Sequence, residues 1–242
     1  MVIDIVCVET DFLGGKAHKG MAEATLQILD VIKETLRNAL NDHPGYRLFI
    51  TGHSLGGGVG TLMAMAIRGG VIKDYVPADV ALMCKVYAPP PVFFSEADVT
   101  HLTSDIEAYV QGEDCVPRFS LRNTAELFAM ISAVDDTSLG TQQTIKILKG
   151  TQDESTTTSL KLLNENMERA RTSAKMEDYC DLQLVGQIFY IAECDYGSHQ
   201  FRPRIFPVPN RFIDDNFLLL DRMVDDHKGK AYNDVFERIK YD

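Results

Sequence analysis

The chain has 242 residues, a formal net charge of −11 and an apolar fraction of 45%. This length allows one large domain or two small ones, and the apolar fraction is sufficient for a sizeable core. The acidic charge, with Lys and Arg scattered, argues against a nucleic-acid partner, because nucleic-acid binding needs a basic face that releases counterions from phosphates.

The N-terminus and the cysteines bear on location. The first twelve residues, MVIDIVCVETDF, contain Asp4 and no basic segment, so they predict no secretion signal. No apolar run reaches the ~18 residues of a membrane-spanning helix. Five cysteines without a CxxC pair favour free thiols in a reducing, cytoplasmic compartment over a disulfide framework. Six histidines form no zinc-binding pattern, so no metal is predicted.

A strand between two helices is predicted in the first seventy residues. Apolar side chains recur every fourth residue over Gly20–Asn41, which predicts a helix with one buried stripe. Arg47–Thr51 is short and apolar on both faces, which is typical of a central strand in a parallel sheet. Helical spacing returns over Gly57–Ile67. The predicted stripe of the first helix consists of Ala24, Ile28, Ile32, Leu36 and Leu40.

Two further strands follow, at Asp79–Pro89 and Ile106–Gly112. Strands that alternate with helices at this spacing predict right-handed βαβ units. The expected fold class is therefore α/β, with a mainly parallel sheet and helices on both faces.

The composition changes after Pro117, and residues 123–181 are predicted to form a helical insertion. Its helices are expected near Ala125–Val134, Gln142–Leu148 and Leu160–Ala174, with a mobile polar loop over residues 150–159. Sheet character resumes at Leu182–Glu193. The segment FRPRIFPVP is expected to be its hairpin partner or an edge strand, and the chain ends in a helix. Residues 1–242 are thus interpreted as one interrupted domain.

The glycine-rich turn GHSLGGG, which begins at Gly52, has three interpretations. A Walker phosphate loop needs a Lys followed by Ser or Thr after the glycines, and here no Lys occurs before Lys73. A dinucleotide-binding loop needs G-x-G-x-x-G, which this spacing does not give. The third interpretation, a nucleophile between a strand and a helix, fits the G-x-S-x-G spacing.

In this interpretation Ser54 lies on a tight, strained turn. Gly52 and Gly56 flank it where any side chain is expected to collide across the turn. The N–H of Leu55 begins the helix and is expected to bind an oxyanion. His53, on the strand side, is expected to be packed or to support the oxyanion site rather than to act as the base.

A nucleophilic serine needs a base and an acid, expected in the order Ser, acid, His after later strands. Glu113 and Asp114 both follow the third strand directly, whereas Asp105 lies at its start. Two histidines remain downstream. His199 lies in a polar turn between expected edge strands, and His227 follows the final sheet element, where the base is required.

Five segments together resemble the class 3 lipases, a family that includes fungal triacylglycerol lipases and sn-1-specific diacylglycerol lipases. They are AHKGM (residues 17–21), LFITGHSLGGG (48–58), GEDCVPRFS (112–120), VGQIFYI (185–191) and MVDDHKGKAY (223–232). The resemblance implies an α/β-hydrolase fold with Ser54 as nucleophile, Asp114 as acid and His227 as base. It also implies acylglycerol substrates met at a membrane or lipid-droplet surface, and no cofactor.

In this family a strand ending in an Arg-Gly-Thr-like turn precedes the HKG helix and supplies a second oxyanion donor. This sequence begins after that turn, which predicts an N-terminally truncated domain with an exposed sheet edge. An alternative is a catalytically impaired, lipase-like lipid-binding or regulatory module. A third is an acyltransferase or small-ester esterase with the same triad. For the insertion at 123–181 the sequence leaves two interpretations open: a lid, or a solvated helical elaboration without a gating role.

Overall fold

The computed structural model describes residues 8–137, 139–173, 182–195, 201–214 and 222–239. Contacts between residues divide the chain into two compact units. The first consists of Met1–Ser120 together with Cys180–Asp242, and the second is Leu121–Tyr179.

The first unit opens with a hairpin that the sequence did not predict. Strand β1 (Glu9–Phe12) pairs antiparallel with β2 (Gly15–His18). The two residues between them, Leu13 and Gly14, both have positive φ, at 48° and 80°, as a two-residue hairpin turn requires. The short strand β5 (Phe93–Phe94) pairs with β2 and completes a three-stranded sheet.

Among the described residues, the main sheet has five strands: β3 (Leu48–His53), β4 (Leu82–Tyr87), β6 (Ile106–Gln111), β7 (Gln187–Asp195) and β8 (Phe201–Val208). They lie in the order β3-β4-β6-β7-β8. The first four run parallel to their neighbours, and β8 pairs antiparallel with β7. The predicted mainly parallel sheet, with a hairpin partner at its end, is confirmed.

The prediction that the nucleophile-bearing strand is central was wrong. Within the described residues β3 pairs with β4 alone and is an edge of the sheet. Its side chains alternate: Phe49 is 57% exposed, whereas Ile50 packs against the core. Apolar residues on both faces therefore do not distinguish a central strand from an edge strand here.

Helices cover both faces of the sheet, as predicted. Helices α1 (Lys19–Asp42) and α2 (Leu55–Arg68) contribute to the larger apolar cluster, with Val86 and Ile188 from the sheet. Helix α9 (Gly229–Ile239) contributes to a smaller cluster of aromatic and aliphatic residues. That cluster contains Ala88, Tyr109, Ile191, Tyr232 and Val235.

The predicted stripe of α1 is only partly correct. Ala24 is buried, but Ile28 is 40% exposed, and Leu29 beside it is 1% exposed. Full burial is confined to the N-terminal half of this 24-residue helix, and farther along Leu36 and Leu40 of the predicted stripe are partly buried against the larger cluster. The buried residues of α1 are Met21, Ala22, Ala24, Thr25 and Leu29.

The described part of the second unit forms three helices, α4 (Leu121–Asp136), α5 (Thr141–Leu148) and α6 (Glu154–Ser173), which match the three predicted helical stretches. The predicted polar loop at 150–159 was too long. Helix α6 begins at Glu154, because the Asp153 carboxylate accepts from the N–H of Thr156 at 2.7 Å and caps it.

Short helical segments connect the remaining elements. They are α3 (Thr100–Thr103), a 3-10 turn (Val116–Arg118), α7 (Arg211–Asp214) and α8 (Met223–Asp226).

Candidate active site

Ser54 lies at the junction of β3 and α2 with φ 56° and ψ −128°, a backbone conformation that residues other than glycine rarely adopt. Its N–H donates to the carbonyl of Tyr87 on the neighbouring strand at 2.9 Å, which helps to hold the turn. A Cβ at Gly52 would overlap the carbonyl of Gly56, so this part of the steric prediction is confirmed. The same prediction for Gly56 was wrong, because a Cβ there would meet nothing within 4 Å.

Three side chains from different parts of the sequence meet above this turn. The Ser54 hydroxyl lies 2.9 Å from Nε2 of His227, and Nδ1 of His227 lies 2.9 Å from Oδ1 of Asp114. In the tautomer that satisfies both contacts, Nδ1–H donates to the carboxylate and Nε2 accepts from the hydroxyl. The structure thus brings together the three residues that the family resemblance implied.

Asp114 is completely buried, and its oxygens have several donors. Besides His227, Oδ1 accepts from the N–H of Val116 at 3.0 Å, and Oδ2 accepts from the hydroxyl of Tyr232 at 2.7 Å. The hydrogen bonds from the Val116 N–H, the Tyr232 hydroxyl and the His227 ring offset the cost of burying this carboxylate. The guanidinium of Arg118 also donates to the backbone carbonyl of Asp114 at 2.7 Å.

Tyr232 belongs to the lipase-like segment 223–232, but the sequence predicted no role for it. Its hydroxyl donates to Asp114 and accepts from the N–H of Gln111 at 3.0 Å. Burial, and then the adjacent Asp114 carboxylate, raise the pKa of Tyr232 well above its usual range. It therefore stays a neutral donor. Its place on α9, immediately after the base, is the only sequence signal that points to it.

His53 contacts the main chain of the base. Its Nε2–H donates to the carbonyl of His227 at 2.8 Å, and the two rings lie 4.9 Å apart. The ring of Tyr232 meets His53 edge-on at 5.8 Å. His53 is thus packed behind the base and restrains its backbone.

The N–H of Leu55 is in the first turn of α2, where a helix offers no internal acceptor for its N–H groups. The positive end of the helix dipole adds to the attraction of this site for an anion. An oxygen that becomes negative next to Ser54 would therefore be stabilised here.

The other candidates lie elsewhere. The carboxylate of Glu113 lies 3.5 Å from the Arg118 guanidinium and is 40% exposed, so of the two acids after β6 only Asp114 reaches the base. Asp105 forms an ion pair with Arg68 at the opposite end of β6. His199 lies outside the described residues.

No group of three metal-binding side chains occurs among the residues that the structure describes. Of the helices in the described ranges, none is long and apolar enough to cross a membrane.

The mainly parallel sheet and the serine at a strand-to-helix turn define the fold as that of an α/β-hydrolase. A profile of the family described as Lipase (class 3) matches residues 2–124. This is more than half of the chain, which therefore belongs to the class 3 lipase family, and the family prediction is confirmed. The matched residues contain Ser54 and Asp114. His227 and the segments 185–191 and 223–232 lie outside them.

Curated relatives are lipases. Diacylglycerol lipase-beta of Mus musculus is 30% identical over 113 residues, which are 46% of this chain and 16% of the relative. Secreted mono- and diacylglycerol lipase 1 of Fusarium solani is 33% identical over 120 residues, 46% of this chain and 33% of the relative. The chain thus spans a third or less of the length of these relatives. The crystal structure of a lipase from Rhizopus microsporus var. chinensis aligns at 25% identity and a TM-score of 0.42, over 50% of this chain and 43% of that one.

Proposed function

We propose that this protein is a serine carboxyl-ester hydrolase that cleaves fatty-acyl esters of diacylglycerol or triacylglycerol. The observation that carries the proposal is the continuous hydrogen-bonded path from Ser54 through His227 to Asp114, with 2.9 Å at each step. The membership in the class 3 lipase family and the acylglycerol-lipase names of its relatives support the substrate class.

In the acylation step Ser54 Oγ attacks the ester carbonyl carbon while His227 Nε2 takes its proton. The buried Asp114 carboxylate holds the ring by Nδ1–H and stabilises the imidazolium. The N–H of Leu55 donates to the developing oxyanion. His227 then protonates the leaving glycerol oxygen, which breaks the C–O bond and leaves an acyl-serine.

In the deacylation step His227 takes a proton from water, whose oxygen attacks the acyl carbonyl. The proton returns to Ser54 as the fatty acid leaves. All proton transfers run through one nitrogen, so no metal or organic cofactor takes part in the proposed cycle.

The test is covalent labelling by a fluorophosphonate, together with hydrolysis of diacylglycerol, triacylglycerol and a water-soluble ester. Ser54→Ala is expected to abolish labelling and hydrolysis, whereas Ser104→Ala, at an exposed serine, should leave both unchanged. Labelling that persists in Ser54→Ala refutes the role of Ser54. A folded parent chain that binds lipid but is neither labelled nor active would indicate the impaired lipid-binding module instead.

We further propose that the helical segment at 123–181 meets the lipid surface and gates access as a lid. Helix α4 exposes Phe128, Ile131 and Val134, which recur every third residue and are 66%, 43% and 40% exposed. An apolar stripe on a helix surface is suited to the boundary between headgroups and acyl chains.

The cytoplasmic location stays a prediction from the sequence.

A further inference from the structure

Asp226, the residue before the base, is a buried carboxylate that the proposed reaction does not use. It is 5% exposed. Its Oδ2 accepts from the N–H of Glu113 at 3.0 Å, and its Oδ1 lies 3.4 Å from the guanidinium of Arg222, whose side chain is 66% exposed. A buried carboxylate is costly unless it is paired and hydrogen-bonded, and here its inner oxygen is held by a backbone N–H.

The carboxylate lies close against the main chain before the acid. Gly112 has φ 46°, and a Cβ there would lie 2.6 Å from Oδ2 of Asp226. The glycine therefore leaves the space in which the carboxylate reaches the N–H of Glu113. A second contact joins the same two loops, because the N–H of Cys115 donates to the carbonyl of Met223 at 3.3 Å.

We propose that Asp226 is a positioning residue that fastens the acid-bearing loop to the base-bearing loop and thereby sets the Asp114–His227 hydrogen bond. Asp226 immediately precedes His227, and Glu113 immediately precedes Asp114. The Asp226–Glu113 hydrogen bond therefore restrains the distance between the residues that follow. This inference rests on the proposed hydrolysis, in which the alignment of acid and base determines kcat rather than substrate binding.

The first experiment compares Asp226→Ala and Asp226→Asn, with Asp225→Ala as the matched control. The neighbouring Asp225 has a side chain that is 71% exposed and pairs with Lys228 at the surface. Asp226→Ala is expected to lower kcat on a water-soluble ester by ~10–100-fold with KM within about twofold of the parent value, as small misplacements of reacting groups do. Asp226→Asn keeps an oxygen for the Glu113 N–H and should retain at least half of the parental kcat.

Four outcomes overturn the proposal: a folded Asp226→Ala with parental kcat, a loss that appears in KM alone, an equal loss in Asp225→Ala, or no rescue by Asn. If Asp226→Ala does not fold, Gly112→Ala tests the contact from the other loop, since its added Cβ would displace the carboxylate. That variant is expected to lower kcat with KM unchanged, and a folded Gly112→Ala with parental kcat contradicts the proposal.

Amide hydrogen exchange separates this proposal from the proposed function. The Glu113 amide is expected to exchange slowly in the parent chain and in Asp226→Asn, and at least tenfold faster in Asp226→Ala or Gly112→Ala. A parent chain without esterase activity would refute the hydrolase proposal while the exchange rates still decide whether the hydrogen bond forms. Unchanged protection in a variant that lacks the carboxylate would refute the link between the loops.

Discussion

At the scale of single residues, the acid is the position where the sequence left two candidates and the structure separates them. Both Glu113 and Asp114 follow β6, but only the Asp114 side chain is buried and directed at Nδ1 of His227. The side chain of Glu113 instead pairs with Arg118. The acid therefore depends on the direction of the side chain after the strand, which the local pattern does not specify and which only the resemblance to the lipases implied.

Asp114→Asn is expected to lower kcat by ~10⁴-fold, because an amide in this place favours the wrong tautomer of the base. The protein should remain folded, since the amide keeps the volume of the buried carboxylate. Glu113→Gln serves as the control and should stay within about threefold of the parental kcat, because the Glu113 carboxylate is 40% exposed and lies 3.5 Å from Arg118, where a solvent-screened ion pair contributes little. Steady-state kinetics on a water-soluble ester measures both, and equal losses in the two variants would contradict the assignment of Asp114.

Tyr232 and His53 show what sequence reasoning could not supply at this scale. The hydroxyl of Tyr232 reaches an acid 118 positions away, and His53 reaches the backbone of a base 174 positions away. Such contacts join residues that are far apart in the chain, and no local spacing encodes them. By contrast, the strained turn at Ser54 was predictable, because its glycine requirement at Gly52 is local.

At the scale of elements, the βαβ pattern predicted the parallel strands and helices, whereas the neighbours of each strand were not predictable. The edge position of β3 depends on which other strands are present, and its apolar composition suits both positions. In α1 likewise, the four-residue spacing predicted that Ile28 is buried, whereas Leu29 beside it is the residue that is buried. Periodicity thus located the helices more reliably than it located their buried faces.

Helix α4 is predicted to contact lipid through its exposed apolar side chains. Replacing Phe128 and Ile131 together by Ser should raise the amount of lipid vesicle needed for half-maximal binding by at least about tenfold. The loss of even one apolar side chain from the lipid contact is sufficient for a change of this size in affinity. Hydrolysis of a water-soluble ester should be unchanged. Val31→Ser on α1, which is 79% exposed, is the control in the other unit and should not affect vesicle binding. Vesicle co-sedimentation measures binding, and parental binding by the double variant would contradict lipid contact through α4.

At the scale of the whole molecule, the core contains ionisable groups that remain neutral in the folded protein. Burial raises the pKa of the Cys84 thiol from 9.0 to about 12, and the thiol contacts the carbonyl of Gly60 inside the larger cluster. Burial also raises the pKa of Tyr232 and of Tyr190. All three groups lose their protons more readily in the unfolded chain than in the folded one.

The free energy of unfolding is therefore expected to fall as the pH rises above 9. The unfolded chain releases the Cys84 proton near pH 9 and the folded protein holds it to about pH 12. The unfolded state thus binds fewer protons in this window, and stability decreases by about 1.4 kcal/mol per pH unit from this group. The tyrosines add to the slope above about pH 10, where unfolded tyrosine ionises.

Urea unfolding at intervals between about pH 8 and pH 10 tests this assignment, because the tyrosines contribute alike to the parent and to Cys84→Ala, and the difference between the two slopes isolates the thiol. Cys84→Ala should be less stable than the parent at pH 8, since it leaves a small cavity, but its stability should decline less steeply with pH. Cys115→Ala is the comparison at the other described thiol, and because burial also raises the pKa of Cys115, its stability too is expected to decline less steeply with pH than that of the parent. Parallel pH slopes for the parent and Cys84→Ala would show that the Cys84 thiol does not determine alkaline stability. A slope that is flatter in Cys84→Ala than in Cys115→Ala would assign most of the alkaline loss of stability to the thiol packed between β4 and α2.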